Sequence, residues 1–163
     1  MPRYKFALDL FQRRYGGSGD LCIFRAPGRV NLIGEHTDYN HGYVMPAALD
    51  KDFVLIAAPR SDRQVNLIKI ESHFPDERFE ISNDIPIGKV GNWGNYARGA
   101  AQVMARTRGG PFNGFDGLVV GAAPYGVPIG AGLSSSSALT VVMMTALAHF
   151  SGWNGHKVEL AQL

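Results

Sequence analysis

Cysteine, excess charge of either sign and long apolar runs are all scarce in this sequence. The 163 residues include one cysteine, Cys22, so no disulfide can form within the chain. Lysine and arginine number 16 against 14 acidic residues, a formal net charge of +2, which gives no case for a nucleic-acid-binding surface. No apolar run reaches the roughly 20 residues of a membrane span, and the N-terminus lacks a signal-peptide core. These absences favour a cytoplasmic protein with no nucleic-acid or membrane partner.

The composition is that of a folded domain. Hydrophobic residues make up 45% of the chain and charged residues 18%, which excludes a disordered protein. A chain of 163 residues can bury a core but is short for a two-domain enzyme. Cys22 lies in an apolar run, which is more typical of a core residue than of a nucleophile.

Apolar periodicity and Gly/Pro breaks predict an alternation of helices and strands. A helical face in the first segment is followed by a strand that ends at Pro27–Gly28. The remaining patterns are apolar runs or alternations bounded by turn residues. We predict helices at 3–15, 93–106 and from the serine run to Phe150, strands at 21–26, 53–59, 65–71, 78–81 and 117–123, and a further helix beginning at Lys157.

The segment from Val127 to Phe150 combines glycines, four serines and an apolar helix. Gly130 and Gly132 predict a tight loop, and Ser134–Ser137 lead into the helix. A helix N-terminus offers unpaired N–H groups and positive potential, which together suit an anion. A flexible linker is disfavoured because the glycine–serine run lies directly between a predicted strand and an apolar helix. A membrane span is disfavoured because the apolar run of that helix is too short. The loop is not a Walker A sequence, because no Gly-Lys-Ser/Thr follows the glycines.

A second group of polar residues interrupts the apolar segment from Arg25 to Leu49. Its members are an arginine, an amide, two carboxylates and an imidazole: Arg29, Asn31, Glu35, Asp38 and His36. Polar groups between core strands must be hydrogen-bonded, and such a set suits a ligand rich in hydroxyls. The alternatives are a solvated loop with incidental ion pairs, or a metal site made of His36, Asp38 and His41, whose spacing matches no common site.

The glycine–serine loop resembles the phosphate-binding motif of the GHMP kinases, with Pro128 two residues before its first glycine and Ala138 after its last serine. The resemblance implies ATP as phosphoryl donor and Mg²⁺ as cofactor. Ser136 matches the family serine that ligates Mg²⁺, and Ser137 departs from the small residue more usual there. The nucleotide-binding residues implied are Gly130, Gly132, Leu133, Ser134, Ser135, Ser136 and Ser137.

Residues 26–40 resemble the galactokinase signature over their whole length. Mevalonate-type relatives lack the Thr-Asp-Tyr that contains Asp38, so the resemblance favours a sugar acceptor. It implies that Glu35, His36 and Asp38 bind sugar hydroxyls and that Arg29, as a catalytic residue, lies near the reacting oxygen. The pattern Trp-x-Asn-Tyr-x-Arg-Gly at 93–99 is also similar to galactokinases, where it borders the nucleotide base; Trp93 and Tyr96 are equally consistent with plain core residues.

The resemblance implies an α+β fold like ribosomal protein S5 domain 2, with a mixed β-sheet and helices on one face. Residues 1–163 would be the N-terminal domain of a galactokinase, with the Mg²⁺-binding glutamate, the catalytic aspartate and the C-terminal domain expected beyond Leu163. We therefore expect no turnover from these residues alone, and self-association through apolar surface at Val158, Leu160 and Leu163. The alternatives are an N-acetylgalactosamine or arabinose kinase, a non-catalytic sensor of galactose and ATP, and an RNA-binding module, which the near-neutral charge disfavours.

Overall fold

Eight helices and strands follow one another in a computed structural model that describes residues 2–16, 19–34, 37, 40–121, 123–155, 159–160 and 162. The predicted helix at 3–15 and the predicted strands are confirmed. Most of the predicted ends differ from the observed ends by a few residues. The elements are α1 (Pro2–Tyr15), β1 (Cys22–Ile33), β2 (Met45–Pro59), β3 (Gln64–Lys69), β4 (Glu77–Glu80), α2 (Gly94–Arg108), β5 (Phe115–Val120) and α3 (Ser135–Phe150).

The five strands form one mixed sheet in the order β1-β2-β5-β3-β4. Strands β3 and β5 run parallel, and the other neighbouring pairs run antiparallel. Parallel neighbours end at the same edge of a sheet. The segments that follow Lys69 and Val120 therefore leave the sheet side by side, and the second of them is the glycine–serine loop.

Apolar side chains cover both faces of this sheet. Leu55 and Ala57 of β2 belong to the main core with α2 and α3, whereas Val54 and Ile56 pack with α1 on the other face. The α+β class and the mixed sheet are confirmed. The expectation that the helices lie on one face is corrected: residues 53–58 of β2 are apolar on both faces of the sheet, and both faces need cover.

The β1–β2 hairpin is longer than the sequence predicted. Strand β1 does not end at Pro27 but continues to Ile33, opposite Met45. The register shifts between Pro27 and Arg29, and again between Asn31 and Ile33. A bulge accommodates a proline that has no N–H for the ladder, so Pro27 bends the strand without ending it.

One of the three apolar residues expected to be exposed at the C-terminus differs from that expectation. Leu160 is buried and belongs to the main core, so it is not available for self-association; Val158 and Leu163 lie outside the described residues. Glu159 and Leu160 are helical, in line with the helix predicted from Lys157. None of the helices in the described part of the chain is long and apolar enough to cross a membrane.

Candidate functional site

The glycine–serine loop connects β5 to α3 and contains three residues with left-handed backbone. Gly130 has φ 76°, Gly132 has φ 69° and Ser134 has φ 58°. A β-carbon built on either glycine would meet nothing within 4 Å. The backbone conformation, and not crowding by protein atoms, is therefore what calls for glycine here. The open space beside the loop leaves its backbone accessible to a ligand.

The first turn of α3 follows the loop directly. Ala138 N donates to Ser134 O at 2.9 Å. The amides of Ser135, Ser136 and Ser137 come before it and have no backbone acceptor within the described residues. The side chain of Ser134 forms no cap, and no acidic residue lies in the first turn. Three free N–H groups and the positive end of the helix dipole are the features that bind phosphate groups.

Arg29 links the bulged part of β1 to this loop. Its Nη2 donates to Ser134 Oγ at 2.8 Å, and its Nη1 donates to Asn31 Oδ1 at 2.9 Å. Its backbone N donates to Leu133 O at 3.2 Å. The guanidinium is held by neutral acceptors, and no described carboxylate pairs with it. The guanidinium thus lies beside the start of α3.

Gly28 allows β1 to approach the loop this closely. A β-carbon at Gly28 would lie 2.9 Å from Val127 Cγ1 and 3.0 Å from Leu133 O. A side chain would therefore push the loop away and separate Arg29 from Ser134. The structure thus joins Arg29, predicted from one motif, to Leu133 and Ser134 of the predicted loop.

The predicted acceptor residues cannot be placed in the same way. Glu35, His36 and Asp38 lie outside the described residues, and their roles stay predictions. The Thr37 Oγ1 hydroxyl lies within hydrogen-bonding distance of two carbonyl oxygens, Gly34 O at 2.7 Å and Tyr43 O at 3.0 Å, and shares its one proton between them. These contacts tie Thr37 to the end of β1 and to the residues just before β2.

Lys69 is a buried cation at the end of β3 that sequence reasoning missed. Its side chain is 7% exposed, and its Nζ lies 3.5 Å from the Phe74 ring centroid and 5.5 Å from that of Trp93. Burial lowers the pKa of Lys69. The alternation of side chains along a strand could have revealed this burial. Lys69 comes two residues after Leu67 and four after Val65, which puts it on the core-facing side of β3.

Trp93 and Tyr96 have different environments. Trp93 is buried, and its Nε1 donates to Pro75 O at 2.9 Å, so it is a core residue with its polar end satisfied. Tyr96 is 46% exposed. The alternative that both are plain core residues therefore holds for Trp93 and fails for Tyr96.

Ser136, the predicted Mg²⁺ ligand, contributes one hydroxyl oxygen in the first turn of α3. The described residues contain no cluster of three histidines, cysteines or acidic residues that could hold a metal. Mg²⁺ usually takes one or two carboxylates together with phosphate and water oxygens. Ser136 fits the role of a single protein oxygen on a phosphate-bound ion, and no more than that. The metal site made of His36, Asp38 and His41 is not tested, since two of its residues lie outside the described part.

Two family models match the chain. The galactokinase galactose-binding signature matches residues 9–59, and the N-terminal domain of the GHMP kinases matches residues 95–163. The first range contains Arg29 and the acceptor residues predicted from the sequence, and the second contains the whole glycine–serine loop. The two motifs that the sequence pointed to are thus found independently.

Solved structures of kinases share the fold. Galactokinase from Lactococcus lactis, crystallised with galactose, is 31% identical with a TM-score of 0.83, covering 99% of this chain and 40% of that one. Mevalonate kinase from Methanococcus jannaschii is 19% identical with a TM-score of 0.70, covering 90% of this chain and 45% of that one. The second likeness shows the fold alone. The chain spans less than half the length of either relative.

Proposed function

The chain belongs to the GHMP kinase superfamily, and from that premise we propose that it is the N-terminal part of an ATP-dependent sugar kinase with galactose as acceptor. Members of this superfamily are phosphotransferases. The proposed reaction converts galactose and ATP to galactose 1-phosphate and ADP. Because the chain covers 40% of the Lactococcus enzyme, the activity of the whole protein is part of the proposal.

The contact between Arg29 and Ser134 is the observation that carries the proposal. It joins the acceptor signature to the phosphate loop by a hydrogen bond of 2.8 Å. Phosphoryl transfer requires the acceptor oxygen and the transferred group to meet in line while negative charge is neutralised. A guanidinium between the two motifs lies where those groups would meet. Arg29 would stabilise charge on the transferred phosphoryl group, as a preorganised cation does.

The loop and the start of α3 would bind the triphosphate. The free amides of Ser135–Ser137 would donate to phosphate oxygens, and the left-handed glycines would keep the loop backbone close to them. Ser136 Oγ would supply one oxygen to Mg²⁺. When bound, Mg²⁺ neutralises charge on the phosphate oxygens.

The acceptor would be held by Glu35, His36 and Asp38 at the end of the β1–β2 hairpin. The match of the galactose-binding signature to residues 9–59 supports galactose over the other sugars. An N-acetylgalactosamine kinase, an arabinose kinase and a non-catalytic sensor of galactose and ATP remain outcomes of the test.

Titration calorimetry with galactose, N-acetylgalactosamine, arabinose and ATP–Mg²⁺ tests the proposal. We expect Asp38→Ala to weaken galactose binding by about 1–3 kcal/mol for each sugar hydroxyl that it leaves without a partner in a desolvated site, and to leave ATP binding unchanged. Asp50→Ala is the control, because Asp50 is an exposed carboxylate within the same signature. Tighter binding of another sugar, or equal effects of the two variants, would contradict the galactose assignment.

Turnover is measured separately from binding. We expect the 163 residues to bind ligands without producing sugar phosphate, since they cover 40% of the Lactococcus galactokinase. Chromatography of the products after incubation with galactose and ATP–Mg²⁺ gives the answer. Steady production of galactose 1-phosphate would show that the chain holds its own base.

A further inference from the structure

Asp52 is a buried carboxylate at which four segments of the chain meet. Its residue exposure is 1%. Arg3 of α1 donates to Oδ1 at 2.8 Å and to Oδ2 at 3.2 Å, and Arg25 of β1 donates to Oδ2 at 2.7 Å. The backbone N of Asp52 donates to Tyr125 O at 3.0 Å. Helix α1, strands β1 and β2, and the β5–α3 connection are thus joined at one residue.

The carboxylate is ionised in this environment. Burial opposes its charge, but the hydrogen bonds from Arg3 and Arg25 outweigh that effect and lower the pKa of Asp52 below its ordinary value. A buried charge without partners would be costly. Asp52 therefore keeps both arginines in place, and they keep it charged.

One side of this junction leads to the start of the glycine–serine loop. The carbonyl oxygen of Tyr125 accepts a hydrogen bond from the backbone N–H of Asp52. The Arg3 guanidinium lies 5.1 Å from the centroid of the Tyr125 ring. Val127, two residues further on, is fully buried against the position of Gly28. The junction thus fixes the segment from which the loop departs.

The other side leads to Arg29. Pro27 lies directly opposite Asp52 in the β1–β2 pairing, and the register shifts immediately after it. That shift turns Gly28 and Arg29 toward Leu133 and Ser134. Arg25, bound to Asp52, anchors β1 just before the shift. Asp52 is therefore connected to both partners of the contact between Arg29 and Ser134.

We propose that Asp52 is a positioning residue, which holds the loop at Tyr125 and strand β1 at Arg25 at the separation that lets Arg29 reach Ser134. Only the expected effect on ATP binding rests on the proposed function; the structural role of Asp52 does not. Asp52 lies within the residues matched by the galactose-binding signature, but outside residues 26–40 and outside the glycine–serine loop. It is connected to the site through Arg3, Arg25 and its own backbone N–H.

Asp52→Asn is the variant of choice, because asparagine keeps the size and the backbone N–H but removes the charge. Amide hydrogen exchange, followed by NMR, reports on the two backbone bonds that join the segments, Arg29 N to Leu133 O and residue 52 N to Tyr125 O. We expect both amides to exchange at least about tenfold faster, and ATP–Mg²⁺ to bind about tenfold more weakly. The amide of Ile81, which donates to Arg63 O away from the loop, should change less.

Asp116→Asn is the matched control. Asp116 is also a strand carboxylate bound to an arginine, Arg60, but it lies at the end of β5 opposite the loop. It should affect exchange at Arg29 no more than at Ile81, and ATP binding should be unchanged. Uniform acceleration of exchange in Asp52→Asn, or no effect on Arg29, would show that Asp52 contributes only to general stability and would overturn the proposal.

Arg25→Gln covers the case in which Asp52→Asn does not fold. The Arg25 side chain is 59% exposed, so its loss should leave the fold intact while removing the anchor of β1. The same selective effect on the Arg29 amide is expected, and its absence would overturn the proposal. If the unchanged protein fails to bind ATP–Mg²⁺, the proposed function fails, while the exchange pattern still decides the role of Asp52.

Discussion

Replacing Gly132 by valine should have two effects that can be measured separately: strain in the backbone of the loop and obstruction of the nucleotide. Gly132 has φ 69°, and a β-carbon there would meet no protein atom within 4 Å. The left-handed conformation costs an L-residue about 1–2 kcal/mol, and a β-branched residue is least tolerant of it. For a chain of this size that cost lowers the melting temperature by about 2–8 °C. The fold should survive, because the valine methyl groups enter open space.

That open space is where we propose that the phosphates bind. The valine side chain would block the close approach of phosphate oxygens to the loop backbone, so ATP–Mg²⁺ affinity should fall at least tenfold, which is about 1.4 kcal/mol. Calorimetry measures the affinity, and a thermal melt measures the strain.

Gly152→Val is the matched control for Gly132→Val. Gly152 has φ 67° and also has nothing within 4 Å of a β-carbon. It follows the C-terminal end of α3, about 24 Å from the loop by the rise of a 16-residue helix. The control should lose similar stability and keep its ATP affinity. Normal ATP binding by Gly132→Val, or an equal loss in both variants, would refute the assignment of the loop as the phosphate site.

Three further predictions concern the core, the pH dependence and the arginine. Leu147→Ala, in the main core on α3, should reduce the free energy of unfolding by about 2–5 kcal/mol in a denaturant titration, whereas Val141→Ala on the exposed side should change it by under about 0.5 kcal/mol. The lowered pKa of Asp52 should stabilise the fold above the unfolded pKa of about 3.9. That stabilisation should disappear as the pH falls through the lower folded value, and Asp52→Asn should remove this part of the pH dependence. Arg29→Gln should weaken ATP–Mg²⁺ binding several-fold in calorimetry while leaving the melting temperature nearly unchanged, because its side chain is exposed.

Most helices and strands could be predicted from local pattern. Three- and four-residue apolar spacing predicted α1, and the run that follows the serines predicted α3. Strand β1 was cut short at Pro27, because a proline is a strong local break signal. The bulge that carries the strand past it depends on β2, which the sequence of β1 does not contain.

The candidate site could also be predicted, as two separate motifs. The glycine–serine loop follows from glycine and serine chemistry and from its resemblance to a family motif. The acceptor signature follows from the long match at residues 26–40. Neither motif indicates which of its residues faces the other, since the contact between Arg29 and Ser134 joins positions 105 residues apart.

The sequence by itself determined the local elements, the loop and the kinds of side chain available to a phosphate and a sugar. The tertiary structure alone decided that α1 lies on the face opposite α2 and α3, that Lys69 is buried beside aromatic rings, and that Asp52 joins four segments. The physical reason is the range of each signal. Periodicity and turn chemistry act over a few residues, whereas sheet order and register decide which distant groups share a buried environment, and the strength of charged interactions depends on that burial.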